Sequence, residues 1–422
     1  MHLELPAAEL ISRPFSLVVS GLPPGVEINL HTETLDGSGE RWQAQATFLS
    51  SPEGRIDVAQ MAPLAGSYSG ADAQGLIWSL RPRADLRPLQ FELPTGGFTV
   101  TVRAIQAGRV LAEASTVRQD RHPDLREEVV QEQGLFGTLF SPPPGTPLHG
   151  AVLSLGGSEG GLHSLGAALA GFLASEGFVV LQLAYFGAPG LPEALINIPL
   201  EYFRSGLAYL RERPEVGSRR LSVTGVSKGA EAALLLGATY PEIVGAVVAV
   251  ASSGLVFEGI DREGTHPAGL PMSSWSKGGQ PLPYLPYPPH WTAMFAGPPP
   301  FLLMPVHRRA MTDASQGTLA AATIPAERVR GPVLLVTGGD DQVWNAYELS
   351  LVAQRRREEA GLPVRHLSHP QAGHFLSVPG LPTDSFPQAG GEAWADAQLQ
   401  LRAWALQLET LGSVWEAEAA SG

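Results

Sequence analysis

The sequence has no cysteine. That absence removes disulfide scaffolds, thiolate metal sites and cysteine nucleophiles together, so any nucleophile must be an oxygen or a nitrogen. Lysine is almost absent as well. Lys228 and Lys277 are the only two, and the rest of the 28 basic residues are arginine. Positive charge is short overall: 41 acidic residues against 28 basic give a formal charge of −13. Such a chain is badly suited to neutralising the phosphates of nucleic acid, and no nucleic-acid partner is expected. No apolar run reaches 18 residues, so no membrane span is expected. Met1 to Ser16 lacks the basic start and apolar run of a signal peptide. Ala419-Ala420-Ser421-Gly422 carries no address tag. The expectation is a soluble, cytoplasmic protein. What is present is 422 residues, 44% of them apolar. At about 150 residues per domain, that is enough for two or three domains with a sizeable core.

The first ~115 residues alternate apolar and polar positions. Val26, Ile28 and Leu30 form one such run, Trp42, Ala44, Ala46 and Phe48 a second, and Phe98, Val100, Val102 and Ala104 a third. Period two marks strands with one buried face. Turn signals such as Asp36-Gly37-Ser38-Gly39 and Thr95-Gly96-Gly97 separate them, so residues 1–117 are expected to form a small all-β sandwich domain. A charged run over 118–134 reads as a linker and entry segment. From there to about residue 415 the grammar is strand then helix. Ala151–Leu155, Phe178–Leu183, Leu221–Thr224, Val244–Ala251 and Val333–Thr337 are continuous apolar strands, and Leu200–Arg213 and Gly229–Thr239 read as helices. Trp394–Leu411 reads as a closing amphipathic helix. This pattern predicts a mostly parallel sheet with helices on both faces. The interruption at about 254–325 is proline-rich, with 11 prolines between 267 and 305. It reads as an irregular, lid-like insertion between two sheet strands.

Gly225-Val226-Ser227-Lys228-Gly229 lies between a predicted strand and a predicted helix. A G-x-S-x-G pentapeptide in that setting is a nucleophile elbow, a sharp turn that exposes the serine hydroxyl beside a helix N-terminus. Serine needs a base to remove its proton, and the order on this kind of scaffold is Ser, acid, His. His374, in the loop after the strand-like Val364–Leu367, is the expected base. His266, His290, His307, His366 and His369 compete less well, the last two lying in or at the end of that strand. The strand Val333–Thr337 runs into Gly338-Gly339-Asp340-Asp341. The usual spacing after the strand-ending glycine selects Asp341 over Asp340. Two backbone N–H groups are needed for an oxyanion hole: that of Lys228, and that of Ser158 or Glu159 in the turn after Ala151–Leu155. The Gly156–Gly161 turn lacks G-x-G-x-x-G spacing and a Walker lysine, which argues against a nucleotide site. No metal site or cofactor is expected.

Longer runs carry a family resemblance. Pro63-Leu64-Ala65-Gly66-Ser67-Tyr68, Gly75-Leu76-Ile77-Trp78-Ser79-Leu80, Leu183-Ala184-Tyr185-Phe186, Leu200-Glu201-Tyr202-Phe203, Gly225 through Glu231, Ile324-Pro325-Ala326-Glu327-Arg328, Asp340-Asp341-Gln342-Val343-Trp344 and Ala372-Gly373-His374 are distinctive. Through them the chain resembles the acyl-CoA thioesterase and bile acid-CoA:amino acid N-acyltransferase family over nearly its whole length. The resemblance implies a β-sandwich followed by an α/β-hydrolase domain, and cleavage of acyl-CoA by a triad carried onto Ser227, Asp341 and His374. Amidating members are similar but use cysteine as nucleophile, so serine here favours transfer to water. Glu159 departs from the family, which often has another glycine there.

The expected function is therefore acyl-CoA hydrolysis through an acyl-enzyme. The alternatives are a serine esterase or an acyl-CoA:amine N-acyltransferase on the same scaffold, or an inert binding protein. The expected partner is a small-molecule acyl-CoA or ester. Trp291 and Phe295 are candidates for the acyl pocket, which the insertion is expected to cover. Arg308, with Arg309, is a candidate for the CoA phosphates, against a reading as a solvated surface pair.

Overall fold

Period-two burial is realised in the N-terminal strands of the computed structural model, which describes residues 1–82, 90–261, 266–267, 269–291, 303–383 and 389–421. The chain divides into two units. The first is Met1–His122 with Val378–Pro387 and Glu392–Leu401; the second is Pro123–Ser377 with Gln388–Gly391 and Arg402–Gly422.

The first unit is built mainly on β-strands, in a three-stranded and a seven-stranded sheet, with a one-turn helix at Gly75–Trp78 and the first residues of the C-terminal helix. Four long strands make most of the larger sheet: Glu27–Leu35, Arg41–Leu49, Phe98–Gln106 and Arg109–Gln119. Ile28, Leu30, Ala46, Phe48, Val102 and Ala104 are wholly buried, so one face of the sheet makes the core. Ala107 and Gly108 join the last two strands, both at positive φ, which suits the twist of a two-residue hairpin.

The second unit contains an eight-stranded sheet. Its strands are β1 (Arg126–Val130), β2 (Phe136–Ser141), β3 (Gly150–Leu155), β4 (Phe178–Ala184), β5 (Leu221–Val226), β6 (Val244–Val250), β7 (Val333–Gly338) and β8 (Arg365–His369). The order is β1-β2-β4-β3-β5-β6-β7-β8. β1 and β2 pair antiparallel, and β2 is antiparallel to β4; β4, β3, β5, β6, β7 and β8 form successive parallel pairs. The central strands are buried residue for residue, which is why they read as unbroken apolar runs. Helices α1 (Ser164–Ser175), α2 (Leu200–Arg211), α3 (Lys228–Thr239), α4 (Met304–Asp313), α5 (Gln316–Ala322), α6 (Ala346–Glu359) and α7 (Ala393–Ser421) complete this α/β-hydrolase architecture. The connections run outward in opposite directions from β3. That switch point puts the C-terminal ends of β3 and β5 beside one another, where such sheets bind ligands.

The charged entry segment 118–134 carries the edge strand β1, whose Val130 faces the core while Arg126 to Val129 stay exposed. Two expectations change. α7 extends ten residues beyond the apolar pattern. Its Ala- and Glu-rich end has high helix propensity, and Trp415 anchors it by donating from Nε1 to the Arg220 carbonyl at 2.9 Å. The insertion is not wholly irregular either. It contains α4, α5 and a hairpin of Trp275–Lys277 with Gln280–Pro281. Pro305 sits in the first turn of α4, where the missing N–H costs nothing.

Candidate active site

Ser227 sits between β5 and α3 with φ 54° and ψ −119°. This backbone region is unfavourable for a residue with a side chain, and the surrounding packing enforces it. The flanking glycines explain how. A Cβ on Gly225 would lie 2.1 Å from the Gly229 carbonyl oxygen, and one on Gly229 would lie 2.2 Å from that of Gly156. Only glycines let β5, α3 and the turn after β3 approach this closely. The first N–H groups of α3 have no partner within the helix and give this end of it a positive partial charge.

Asp341 follows β7 and is nearly inaccessible. Its Oδ1 accepts from the backbone N–H groups of Val343 at 2.8 Å and Trp344 at 3.2 Å. Its Oδ2 lies 2.8 Å from His374 Nδ1. A carboxylate is only an acceptor, so Nδ1 carries the hydrogen and Nε2 presents a lone pair. His374 comes from the loop after β8 and is also buried. Ser227, Asp341 and His374 therefore follow β5, β7 and β8, all parallel strands of one sheet, so all three leave the same edge. Asp340 does different work, accepting from Gln342 Nε2 at 2.7 Å and from the Gly391 N–H at 3.0 Å. His366 lies against Thr337 Oγ1 and Gln354 Oε1, both at 2.7 Å, and burial lowers its pKa to about 4.

Ser227 opens on a cavity of about 50 Å³, shared with Ser158, Lys228, Ile260, Tyr287, Trp291, Leu303, His307, Val343 and Trp344. Half of these residues belong to the insertion. The wall is aromatic. Tyr287 stacks on Phe257 at 5.8 Å between ring centres and meets Trp291 at 4.6 Å and His307 at 5.2 Å. Trp344 packs edge-on to His307 at 5.8 Å and to His374 at 6.5 Å. His307 Nδ1 donates to the Leu303 carbonyl at 3.0 Å, which leaves Nε2 to accept from the Tyr287 hydroxyl at 3.3 Å. Burial, with a smaller push from the Lys228 charge, lowers the His307 pKa to about 4, so it is neutral near pH 7.

The turn after β3 is held from two sides. The Tyr185 hydroxyl lies 2.8 Å from the Gly156 carbonyl oxygen and 2.9 Å from that of Gly157. Glu159 folds back so that its Oε1 accepts from the Gly157 N–H at 2.9 Å. Of the candidates read from sequence, Ser227, Lys228, Ser158 and Trp291 meet at the cavity, and Asp341 and His374 pair. Phe295 lies outside the described residues. Arg308 does not line the cavity; it is half exposed and pairs with Glu348 at 2.9 Å. The sequence does not single out Tyr287 or Ile260 for the cavity wall and offers His307 only as a competing base, since nothing in a proline-rich segment marks which residues turn inward. Among the described residues no group of three or more His, Asp or Glu is placed to hold a metal, and no helix is long and apolar enough to cross a membrane.

Comparison with known proteins points to one family. Residues 12–132 match the acyl-CoA thioester hydrolase/BAAT N-terminal region, and residues 198–411 match the BAAT/acyl-CoA thioester hydrolase C-terminal region. The chain belongs to the acyl-CoA thioester hydrolase/BAAT family. Among its relatives, acyl-coenzyme A thioesterase 1 of Rattus norvegicus is 28% identical over 416 residues, covering 94% of this chain and 92% of that one. The peroxisomal succinyl-coenzyme A thioesterase of Mus musculus is 28% identical over 407 residues, covering 93% and 91%. A solved dienelactone hydrolase-like promiscuous phosphotriesterase from metagenomic libraries aligns with 69% of this chain and 99% of its own, at 15% identity and a TM-score of 0.43.

Proposed function

We propose that this protein hydrolyses acyl-CoA thioesters to the free acid and CoA through an acyl-enzyme on Ser227. The observation that carries the reading is the buried 2.8 Å pair of Asp341 and His374 at the sheet edge from which the strained Ser227 also emerges, in a chain of the thioester hydrolase family. Ser227 Oγ attacks the thioester carbonyl while His374 Nε2 takes its proton. The C–S bond then breaks and the departing CoA sulfur takes that proton. Water, deprotonated by the same imidazole, attacks the acyl-serine carbonyl, and the ester C–O bond breaks as the imidazolium returns that proton to Ser227 Oγ, releasing the acid. Asp341 fixes the tautomer and balances the charge on the imidazolium. The backbone N–H groups of Lys228 and of Ser158 or Glu159 serve as oxyanion donors. Trp291, Tyr287 and Ile260 form the acyl wall. Arg308 is left out because its guanidinium is already paired at the surface.

The test is steady-state hydrolysis of a panel of acyl-CoAs beside the matching p-nitrophenyl esters, with an amine acceptor added in parallel. Thiol release that exceeds ester cleavage and yields free acid is expected. Cleavage of oxygen esters alone, or amide as the main product, would overturn the reading in favour of an esterase or an N-acyltransferase.

A further inference from the structure

Lys228 follows the nucleophile directly, yet its ammonium is not in solvent. The side chain is 3% exposed and its partner Glu231 is fully buried. Nζ donates to Glu231 Oε2 at 2.8 Å and to Oε1 at 3.0 Å. Glu231 Oε1 also accepts from the indole Nε1–H of Trp275 at 2.6 Å and from the Phe257 N–H at 3.4 Å. The ammonium lies 5.7 Å from the ring centre of Trp275 and 5.9 Å from that of Trp344, close enough for cation–π attraction to both. Trp275 itself is wholly buried, and its ring centre is 5.6 Å from that of Tyr185. Tyr185 is the residue whose hydroxyl holds the Gly156 and Gly157 carbonyls.

The two backbone segments that flank Ser227 are thus tied to one indole. The start of α3 reaches it through Lys228 and Glu231. The turn after β3 reaches it through Tyr185. A buried ion pair is a poor source of net stability, because desolvation offsets most of the attraction. Apolar side chains would fill the same volume. What the charges and the indole N–H add is a single geometry.

We propose that Glu231 and Trp275 are positioning residues for acyl transfer, holding the N–H of Lys228 and the Gly156-Gly157-Ser158 turn at a fixed spacing around Ser227. The proposal rests on the Ser227 mechanism above. Losing one oxyanion donor costs on the order of 10²–10³ in kcat, and a misplacement of about 1 Å costs on the order of 10². The titratable groups facing the pair leave a clear window. His307, facing Lys228, titrates near 4. Burial raises Tyr185 and Tyr287, which face Glu231, well above the ordinary tyrosine range. Burial also pulls Lys228 down, and the Glu231 carboxylate opposes it.

The experiment compares wild type, Glu231→Gln, Trp275→Phe and the doubly neutral Lys228→Met/Glu231→Gln, each checked for folding by circular dichroism. Two rates are read: acyl-CoA hydrolysis, and the second-order rate of labelling by a fluorophosphonate, which needs the serine and its donors but no thioester. Glu231→Gln and Trp275→Phe should each lower kcat and the labelling rate on the order of 10²-fold, with KM changed less than threefold. In Glu231→Gln the Lys228 amine loses its counter-charge and is stable in that site only when neutral, so its protonation should disturb the turn and move the acid limb of the pH–rate profile upward. Removing Lys228 as well should return that limb to its wild-type place. A folded Glu231→Gln with wild-type kcat, labelling rate and pH profile would overturn the proposal. If that variant does not fold, the double variant decides: reduced labelling supports the proposal and wild-type labelling refutes it. A wild type that labels but spares acyl-CoA refutes the substrate reading and leaves this test standing.

Discussion

Replacing Asp341 by asparagine changes one atom and should stop turnover. The reason is the set of donors around the carboxylate. Oδ1 accepts from two backbone N–H groups, those of Val343 at 2.8 Å and Trp344 at 3.2 Å, while Oδ2 faces His374 Nδ1 at 2.8 Å and takes one longer bond from the Ala346 N–H at 3.4 Å. An asparagine has one oxygen to offer. Turning its NH₂ toward Val343 and Trp344 would set donor against donor twice in a buried site, at about 1–3 kcal/mol for each unmade bond. The amide oxygen therefore stays on the backbone and the NH₂ faces His374. Nδ1 must then accept, and the ring hydrogen moves to Nε2. In that tautomer the imidazole cannot take a proton from Ser227. The loss should be about 10⁴-fold in kcat, equivalent to roughly 5.5 kcal/mol of barrier at 1.36 kcal/mol per decade. KM should change little, because the amide oxygen still holds the Val343 and Trp344 backbone and Asp341 itself does not line the cavity. Stability should fall by only about 1 kcal/mol. Asp340→Asn is the control: its carboxylate accepts from Gln342 and the Gly391 N–H, and its loss should stay within tenfold. Thiol release from acyl-CoA under saturating substrate, with thermal melts to confirm folding, measures both. A folded Asp341→Asn retaining more than a tenth of wild-type kcat, or a larger loss in Asp340→Asn, would refute the reasoning.

Ser227→Ala should keep the fold, lose on the order of 10³-fold or more in kcat, and fail to react with a fluorophosphonate probe that labels wild type; persistent labelling would move the nucleophile elsewhere. Trp291→Ala should enlarge the cavity beside Ser227 and raise kcat/KM for longer acyl chains by about fourfold per added methylene until the space is filled, from about 0.8 kcal/mol per buried CH₂. An unchanged chain-length profile would place acyl selection elsewhere. His307 titrates near 4 when folded against an ordinary 6.5, so the unfolded chain binds its proton first as pH falls. Its stabilising contribution is complete above about 6.5 and is lost on the way down to 4, at up to about 1.4 kcal/mol per unit. His366 adds to the same slope. Urea midpoints at several pH values should show a shallower fall for His307→Gln than for wild type, and equal slopes would contradict the burial argument.

Much of the fold was legible because its central strands are buried on both faces. Val244–Val250 and Val333–Gly338 leave no polar face to confuse the period. The elbow was legible because glycine is demanded there sterically, and a steric demand leaves a mark in sequence. The choice between Asp340 and Asp341 rested on spacing alone, and the two carboxylates differ in what they bond, which only coordinates reveal. Lys228 and Glu231 stand three apart on α3 and look like an ordinary surface pair. What makes them different is Trp275, which arrives from the insertion and covers them. The aromatic wall was illegible for a similar reason. Tyr287 follows the isolated bridge of Phe257 with Leu285, and a single bridge has no periodicity to read; His307 lies on α4, a short helix with only His307 and Ala310 buried.

The sheet and the insertion divide the work. The sheet edge supplies Ser227, Asp341 and His374, each fixed by the strand that precedes it. The insertion supplies Ile260, Tyr287, Trp291 and His307 around the cavity. On the proposed mechanism, substitutions among those four would reshape the acyl space without moving a proton-transfer atom. That freedom stops at Trp275. Its N–H reaches the carboxylate that holds Lys228, so on the proposed reading the insertion that shapes the pocket would also brace the elbow. A change that only recuts the wall should alter chain-length preference at constant labelling rate. One that dislodges Trp275 should slow every substrate and the probe alike. The ratio of those two effects separates specificity from positioning within a single loop.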